Sequence, residues 1–150
     1  MRVTLAPILA SVPCLAIVSA REIPDFEKMS LSSAKCEDVH LIDNHVLHAT
    51  CTNQFTDPAH TSPKELSVDL DDCFANYDGN LNFLYWGPGG FSGSCISCFI
   101  ADDTKLVCQC YTGEGHKTKY NEFNLDTWRV IRLTLEDFNL RCAGDTSGWW

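Results

Sequence analysis

The chain has 150 residues, with 20 acidic against 11 basic side chains, a formal net charge of −9 and nine cysteines. Such an excess of carboxylates repels phosphate backbones and anionic headgroups, which argues against nucleic-acid and anionic-membrane partners. One apolar run is present, at the start of the chain, too short and too poorly flanked for a stable membrane span.

That run is Val3–Val18, behind Met1-Arg2 and ahead of the small residues Val18-Ser19-Ala20. Residues 1–20 therefore read as a signal peptide, and the product is expected to be secreted and extracellular. Its removal takes Arg2 and Cys14 with it, leaving a formal charge of −10 and eight cysteines. An even cysteine set in a short secreted chain predicts full pairing.

Arg21–Ser33 is polar, contains Pro24 and has no period, so residues 21–30 read as a flexible N-terminal segment. From Cys36 a strand, a turn at Ile42-Asp43-Asn44-His45 and a second strand follow, closed by Cys36 and Cys51. Thr52–Lys64 carries two prolines and reads as a loop; Glu65–Leu70 alternates as a third strand. In Asp69–Leu81 the acidic run predicts a capped helical turn through Cys73-Phe74-Ala75-Asn76. Asp78-Gly79 then predicts a tight hairpin, from which Leu81 and Phe83 alternate with Asn80 and Asn82.

The chain then repeats itself. Cys95, Ile100, Leu106 and Cys110 each stand 59 residues after Cys36, Leu41, Leu47 and Cys51, and Asp137, Asn139 and Leu140 stand 59 after Asp78, Asn80 and Leu81. Val68–Asp71 matches Phe123–Asp126 only at an offset of 55, so about four extra residues precede the last hairpin. Repeat 1 spans about 31–83 and repeat 2 about 90–142, joined by the Gly- and Pro-rich 84–90 and followed by a tail, 143–150.

Cys36 with Cys51 and Cys95 with Cys110 are the evident disulfides, and Cys98 with Cys108 can add a rung inside the second. Cys73 and Cys142 then pair by elimination, across the two copies. The competing reading is a zinc site on Cys95-x-x-Cys98 and Cys108-x-Cys110. His45-x-x-His48 with Asp43 suggests a metal pair, but on one strand the two imidazoles point to opposite faces, and an ordinary surface role is favoured. Glu65, Asp69, Asp71 and Asp72 form an acidic run that acid–base hydrolysis could use, though capping explains Asp69 and Asp72 more simply. Nucleophile-elbow, phosphate-loop and Cys-His motifs are absent from the sequence, so no enzyme, cofactor or metal is expected. Thr52-Asn53-Gln54, Asn76-Tyr77-Asp78, Ser92-Gly93-Ser94 and Thr112-Gly113-Glu114 set amides, hydroxyls and carboxylates on turns, where sugar hydroxyls find donors and acceptors. Tyr77, Tyr85, Trp86 and Tyr111 are candidates to cover a sugar ring.

Asp69–Leu81 followed by Gly90-Phe91-Ser92-Gly93-Ser94-Cys95, with the opening Cys36-x(4)-Leu41-x(5)-Leu47-x-Ala49-x-Cys51, resembles the cyanovirin-N homology family, and the cysteine ladder around Cys98 and Cys108 resembles its secreted fungal members. The resemblance covers residues 31–142. It implies an all-β fold of two pseudo-symmetric lobes, each a three-stranded sheet plus a hairpin from the other repeat. It implies a lectin for mannose-rich oligosaccharides, working without metal or catalysis, as a monomer or a strand-exchanged dimer. The matching second-lobe pocket comprises Ala75, Asn76, Tyr77, Asp78, Gly90, Gly93, Ser94, Tyr111, Thr112, Gly113 and Gly115; the first-lobe pocket comprises Lys35, Thr52, Asn53, Gln54 and Asp137. Two departures fall on the first lobe: Phe138 stands where the family's second hairpin has glycine, and Ser32 where it has an aromatic residue that Phe91 keeps in the second copy. The alternative is a protein-interaction or effector module on the same scaffold, using the apolar Trp128–Leu135 and Trp149-Trp150.

Overall fold

A computed structural model describes residues 28–52, 62–85, 87, 89–114, 116–127, 129–134 and 138–143. The leader 1–20, the segment 21–27, Trp86, Trp128 and the tail 144–150 lie outside the described residues. Eleven strands and two short 3-10 turns are formed among the described residues, with no α-helix.

β2 (Cys36–Ile42), β3 (Val46–Cys51) and β4 (Lys64–Asp69) make one antiparallel sheet, and β7 (Cys95–Ala101), β8 (Lys105–Tyr111) and β9 (Thr118–Asn124) make its counterpart. Alternation drives both: in β3, Leu47, Ala49 and Cys51 are buried while His48 and Thr50 are not. The repeat is also visible in the backbone. Asp43 and Asn44 turn at φ 50° and 71°, Asp102 and Asp103 at 50° and 57°, conformations that short polar side chains tolerate. Asp38 and Ser97, also 59 apart, take φ 52° and 54° where each first strand breaks register with its neighbour.

The hairpins are exchanged. β5 (Phe74–Tyr77) pairs with β6 (Asn80–Phe83), and β6 packs on β8 and β9 of the second copy. β10 (Ile131–Thr134) pairs with β11 (Asn139–Cys142), and β11 packs on β4 of the first. One core runs through both lobes, with Phe74 at its centre in edge-to-face contact with Phe83, Phe91 and Phe123 at 5.5, 6.1 and 4.9 Å. Four disulfides staple it: Cys36–Cys51, Cys95–Cys110, Cys98–Cys108 and Cys73–Cys142. All eight sulfurs are thus bonded, which removes the thiolates that the zinc reading of the cysteine ladder needs.

Three expectations are corrected in detail. The helical turn lies at Leu70–Asp72, three residues earlier than the expected Cys73–Asn76, because Asp69 Oδ1 accepts from Asp71 N at 2.9 Å; Phe74–Tyr77 is instead a strand. Residues 28–30 are not a free lead-in: β1 (Lys28–Met29) pairs with β10, and Met29, Leu31 and Ala34 are buried. The extra residues of the second copy are divided. Leu70 and Leu125 are equivalent, each fully buried and each donating its N–H to the β-turn carbonyl of its own lobe, His45 and Thr104. Three residues separate Leu70 from β5 but five separate Leu125 from β10, and two residues, 78–79, lie between β5 and β6 where four, 135–138, lie between β10 and β11.

Candidate functional site

Asn76 lies on β5 beside the Asp78-Gly79 turn, and hairpin exchange brings it against the second lobe. Its Oδ1 accepts from Gly79 N at 2.8 Å, which closes the turn. Its Nδ2 donates to Tyr111 O at 2.9 Å and Ser94 Oγ at 3.0 Å. The amide is therefore spent on joining the hairpin, the end of β8 and the residue after the second 3-10 turn, Phe91–Gly93. Asp78 Oδ1 accepts from Gly113 N at 2.8 Å, and Lys119 Nζ donates to Asp78 O at 2.8 Å with its other carboxylate oxygen 3.9 Å away.

Around this hub the expected residues converge. Ser94 O accepts from Tyr111 N, and Thr112 N donates to Lys117 O, fixing the loop that carries Gly113. Tyr77 is 58% exposed and Tyr111 38%, flanking the Asp78–Gly113 contact. Gly90 and Gly93 are exposed, with open space where a Cβ would stand, and Ala75 is buried beneath. Thr112 Oγ1 is buried without a protein partner. Gly115 lies outside the described residues.

In the first lobe Lys35 is exposed at the end of the 31–35 turn and Thr52 is half-buried after β3, while Asn53, Gln54 and Asp137 lie outside the described residues. Lys119 and Asn121 were missed by sequence reasoning. Asn121 Oδ1 accepts from Leu81 N and its Nδ2 donates to Gly79 O, both at 2.8 Å, stitching the exchanged hairpin to β9. A signal existed: Asn121 shares a cross-strand row with buried Cys108, an inward position for an amide.

The other candidate chemistry separates. His48 faces His40 across β2 and β3, ring centroids 5.2 Å apart, whereas His45 turns toward the end of β4. In the acidic run Glu65 and Asp72 are exposed, Asp69 caps its turn, and Asp71 accepts from Ser92 N at 2.9 Å and from Ser92 Oγ. Tyr85 packs edge-on against Phe83 at 5.1 Å.

A family model described as CVNH domain matches residues 33–129. The chain belongs to the CVNH family. A solved CVNH protein of Gibberella zeae is 26% identical, covering 72% of this chain and 93% of that one at a TM-score of 0.53. Microvirin, solved as a complex with mannobiose, is 25% identical over 68% of this chain and 90% of that chain, TM-score 0.52. A Photobacterium profundum protein named tRNA/tmRNA (uracil-C(5))-methyltransferase is 26% identical over 110 residues, 72% of this chain, but this chain spans only 29% of its length. CVNH is a lectin family. Four disulfides suit an oxidising, extracellular setting. Among the described residues no helix is long and apolar enough to cross a membrane.

Proposed function

We propose that this CVNH protein is a secreted, non-enzymatic lectin that binds mannose-type oligosaccharides through the second lobe. Tyr77, Asp78, Ser94, Tyr111, Thr112 and Gly113 form the contact surface, with Gly90, Gly93 and Gly115 at its margin and Asn76 as positioning residue. The observation that carries the reading is the Asn76 amide, whose bonds to Gly79, Ser94 and Tyr111 hold three segments in one rigid rim. Carboxylate, hydroxyl and backbone groups held this way meet vicinal hydroxyls with little ordering cost, and Tyr77 offers an exposed ring. Lys35, Thr52, Asn53, Gln54 and Asp137 form a second, first-lobe site on the same pattern.

The test is a glycan array with the disulfide-bonded secreted protein beside Tyr77→Ala and Asp78→Ala, both at exposed positions. Binding to mannose-rich glycans should fall at least about tenfold in each variant, a loss of about 1.4 kcal/mol, with thermal stability unchanged in Tyr77→Ala, whereas Asp78→Ala also gives up its bond to Gly113 N and should melt lower. A silent array for correctly folded wild type defeats the proposal. N-terminal sequencing of the secreted product should begin at Arg21.

One observation favours the interaction-module alternative. On the outer face of the second sheet Ile96, Gln109 and Tyr120 form a cross-strand row beside Phe99, with Ile96, Tyr120 and Phe99 39%, 66% and 53% exposed. The equivalent first-lobe row is Glu37, Thr50 and Glu65, beside His40. The scaffold therefore does not require apolar groups there. Concentration-dependent association that Phe99→Ser abolishes would favour this alternative.

A further inference from the structure

We propose that His45, Asp69 and Asp71 bind one borderline divalent cation, Zn2+ being the probe of choice, at the junction between the lobes. One ligand atom from each of the three side chains lies within 4.8 Å of the others, and His45 Nε2 stands 4.0 Å from Asp69 Oδ2. They come from three elements: the β2–β3 turn, the end of β4 and the first 3-10 turn.

The tautomer of His45 follows from its other nitrogen. Nδ1 lies 2.6 Å from Asp43 O, and a carbonyl can only accept, so in the neutral ring Nδ1 carries the proton and Nε2 is the nitrogen left to bind a metal. Nε2 is 4.0 Å from Asp69 Oδ2, with the Asp71 carboxylate in the same cluster, so a cation bound there would be shared by one nitrogen and two carboxylates. A gap of 4.0 Å is too long for a direct hydrogen bond and wider than the about 3.4 Å that two ligands span on a tetrahedral ion at bond lengths of about 2.0–2.2 Å, so the side chains would have to close on the ion. His45 and Asp69 are 28% and 46% exposed, which leaves both side chains room to turn toward the Asp71 carboxylate that Ser92 holds.

Partners outside the ligand set already orient two of the ligands. Asp43 O holds the imidazole, and Ser92 N and Oγ hold the Asp71 carboxylate. Imidazole backed by a carbonyl and carboxylates backed by hydrogen bonds are what metal ligands require of their surroundings. One nitrogen with two oxygens suits Zn2+ and its neighbours in the first transition row better than Ca2+ or Mg2+.

The second copy of the repeat acts as an internal control. Thr104, Asn124 and Asp126 occupy the equivalent positions, and Thr104 Oγ1 donates to Asp102 O at 3.2 Å, reproducing the local bond His45 makes to Asp43 O. The turn can therefore be built without imidazole, and the complete ligand set belongs to the first copy alone. Neither His40 nor His48 contributes; they face each other on the outer side of the first sheet.

An ion here would tie the first lobe to the second 3-10 turn through Ser92, two residues before Ser94. Calorimetric titration of chelator-treated, disulfide-intact protein with Zn2+ should give one ion per chain. His45→Gln and Asp69→Asn should each weaken binding at least about tenfold, and His40→Ala should leave it unchanged. Asp69→Asn keeps an acceptor for Asp71 N, so its fold is retained. In wild type, the His45 Nε2 NMR resonance should shift on adding Zn2+, a readout that holds even if His45→Gln fails to fold. No binding heat with an unmoved Nε2 resonance overturns the proposal, as does Zn2+ binding that survives His45→Gln or disappears in His40→Ala.

Discussion

Phe138 takes φ 46° at the position where Gly79 of the first copy has 82°, so a bulky L-residue sits in the left-handed region that glycine occupies at no steric cost. Its ring packs against the core, Lys64 Nζ lies 5.7 Å from the ring centroid, and the same ammonium donates to Phe138 O at 3.1 Å. Packing and backbone strain therefore oppose each other at one residue, and two substitutions separate them. Phe138→Ala loses the ring and keeps the strain; Phe138→Gly loses both. The Gly variant should be more stable than the Ala variant by about 1 kcal/mol, read from urea midpoints without reductant. Asp126 offers a second residue-level test. Burial alone would raise its carboxyl pKa, but hydrogen bonds from the Ser32 side chain and backbone and from Ser30 outweigh it and hold the group below its ordinary 3.8. A depressed folded pKa gives stability that is complete above the unfolded value and is lost as pH falls through the folded one. The difference in melting temperature between wild type and Asp126→Asn should thus be largest near neutrality and shrink as pH drops below 3.8.

At the scale of elements, the exchanged hairpin is held by side chains whose polar atoms are used inside the protein. Asn121→Ala strands Leu81 N and Gly79 O, and the loss should be about 1–3 kcal/mol in chemical denaturation. Neighbouring glycines serve different ends. A Cβ on Gly89 would meet Phe74 O at 1.9 Å, whereas one on Gly90 meets nothing within 4 Å and suffers only from φ 66°. Gly89→Ala should cost about 3 kcal/mol, the upper end for overpacking, and Gly90→Ala about 1 kcal/mol. Turns were legible in the sequence because Asp43-Asn44 and Asp78-Gly79 name their own backbone conformations. Asn76 was legible as important but not in its role. A sequence shows an amide on a turn, and only the exchanged hairpin shows that Ser94 and Tyr111 consume it. His45 was read from the sequence as a metal candidate with His48 and Asp43, but its actual neighbours Asp69 and Asp71 come from a strand and turn more than twenty residues away, which the sequence does not show.

At the scale of the whole molecule, the repeat was readable as a constant offset, and its exception as a change of offset. An offset counts extra residues but does not place them, so their division between the approach to β10 and residues 135–138 needed Leu125 and Asn139 fixed in space. The exchange itself is clamped covalently by Cys73–Cys142, which joins the end of the first 3-10 turn, Leu70–Asp72, to the final strand across 69 residues, whereas Cys98–Cys108 closes 10 residues already enclosed by Cys95–Cys110. Loop closure in the unfolded chain makes the long bridge worth about 4 kcal/mol and the nested one less than the about 3 kcal/mol of an isolated short loop. Both sulfurs of the long bridge sit among buried residues, so replacing them with serine adds a desolvation cost that alanine avoids. Cys73→Ala with Cys142→Ala should therefore lower stability by about 4 kcal/mol, and Cys98→Ala with Cys108→Ala by clearly less, in urea unfolding at fixed pH. If the two double variants unfold at the same midpoint, the hairpin exchange is held by packing of β11 on β4 rather than by the bridge.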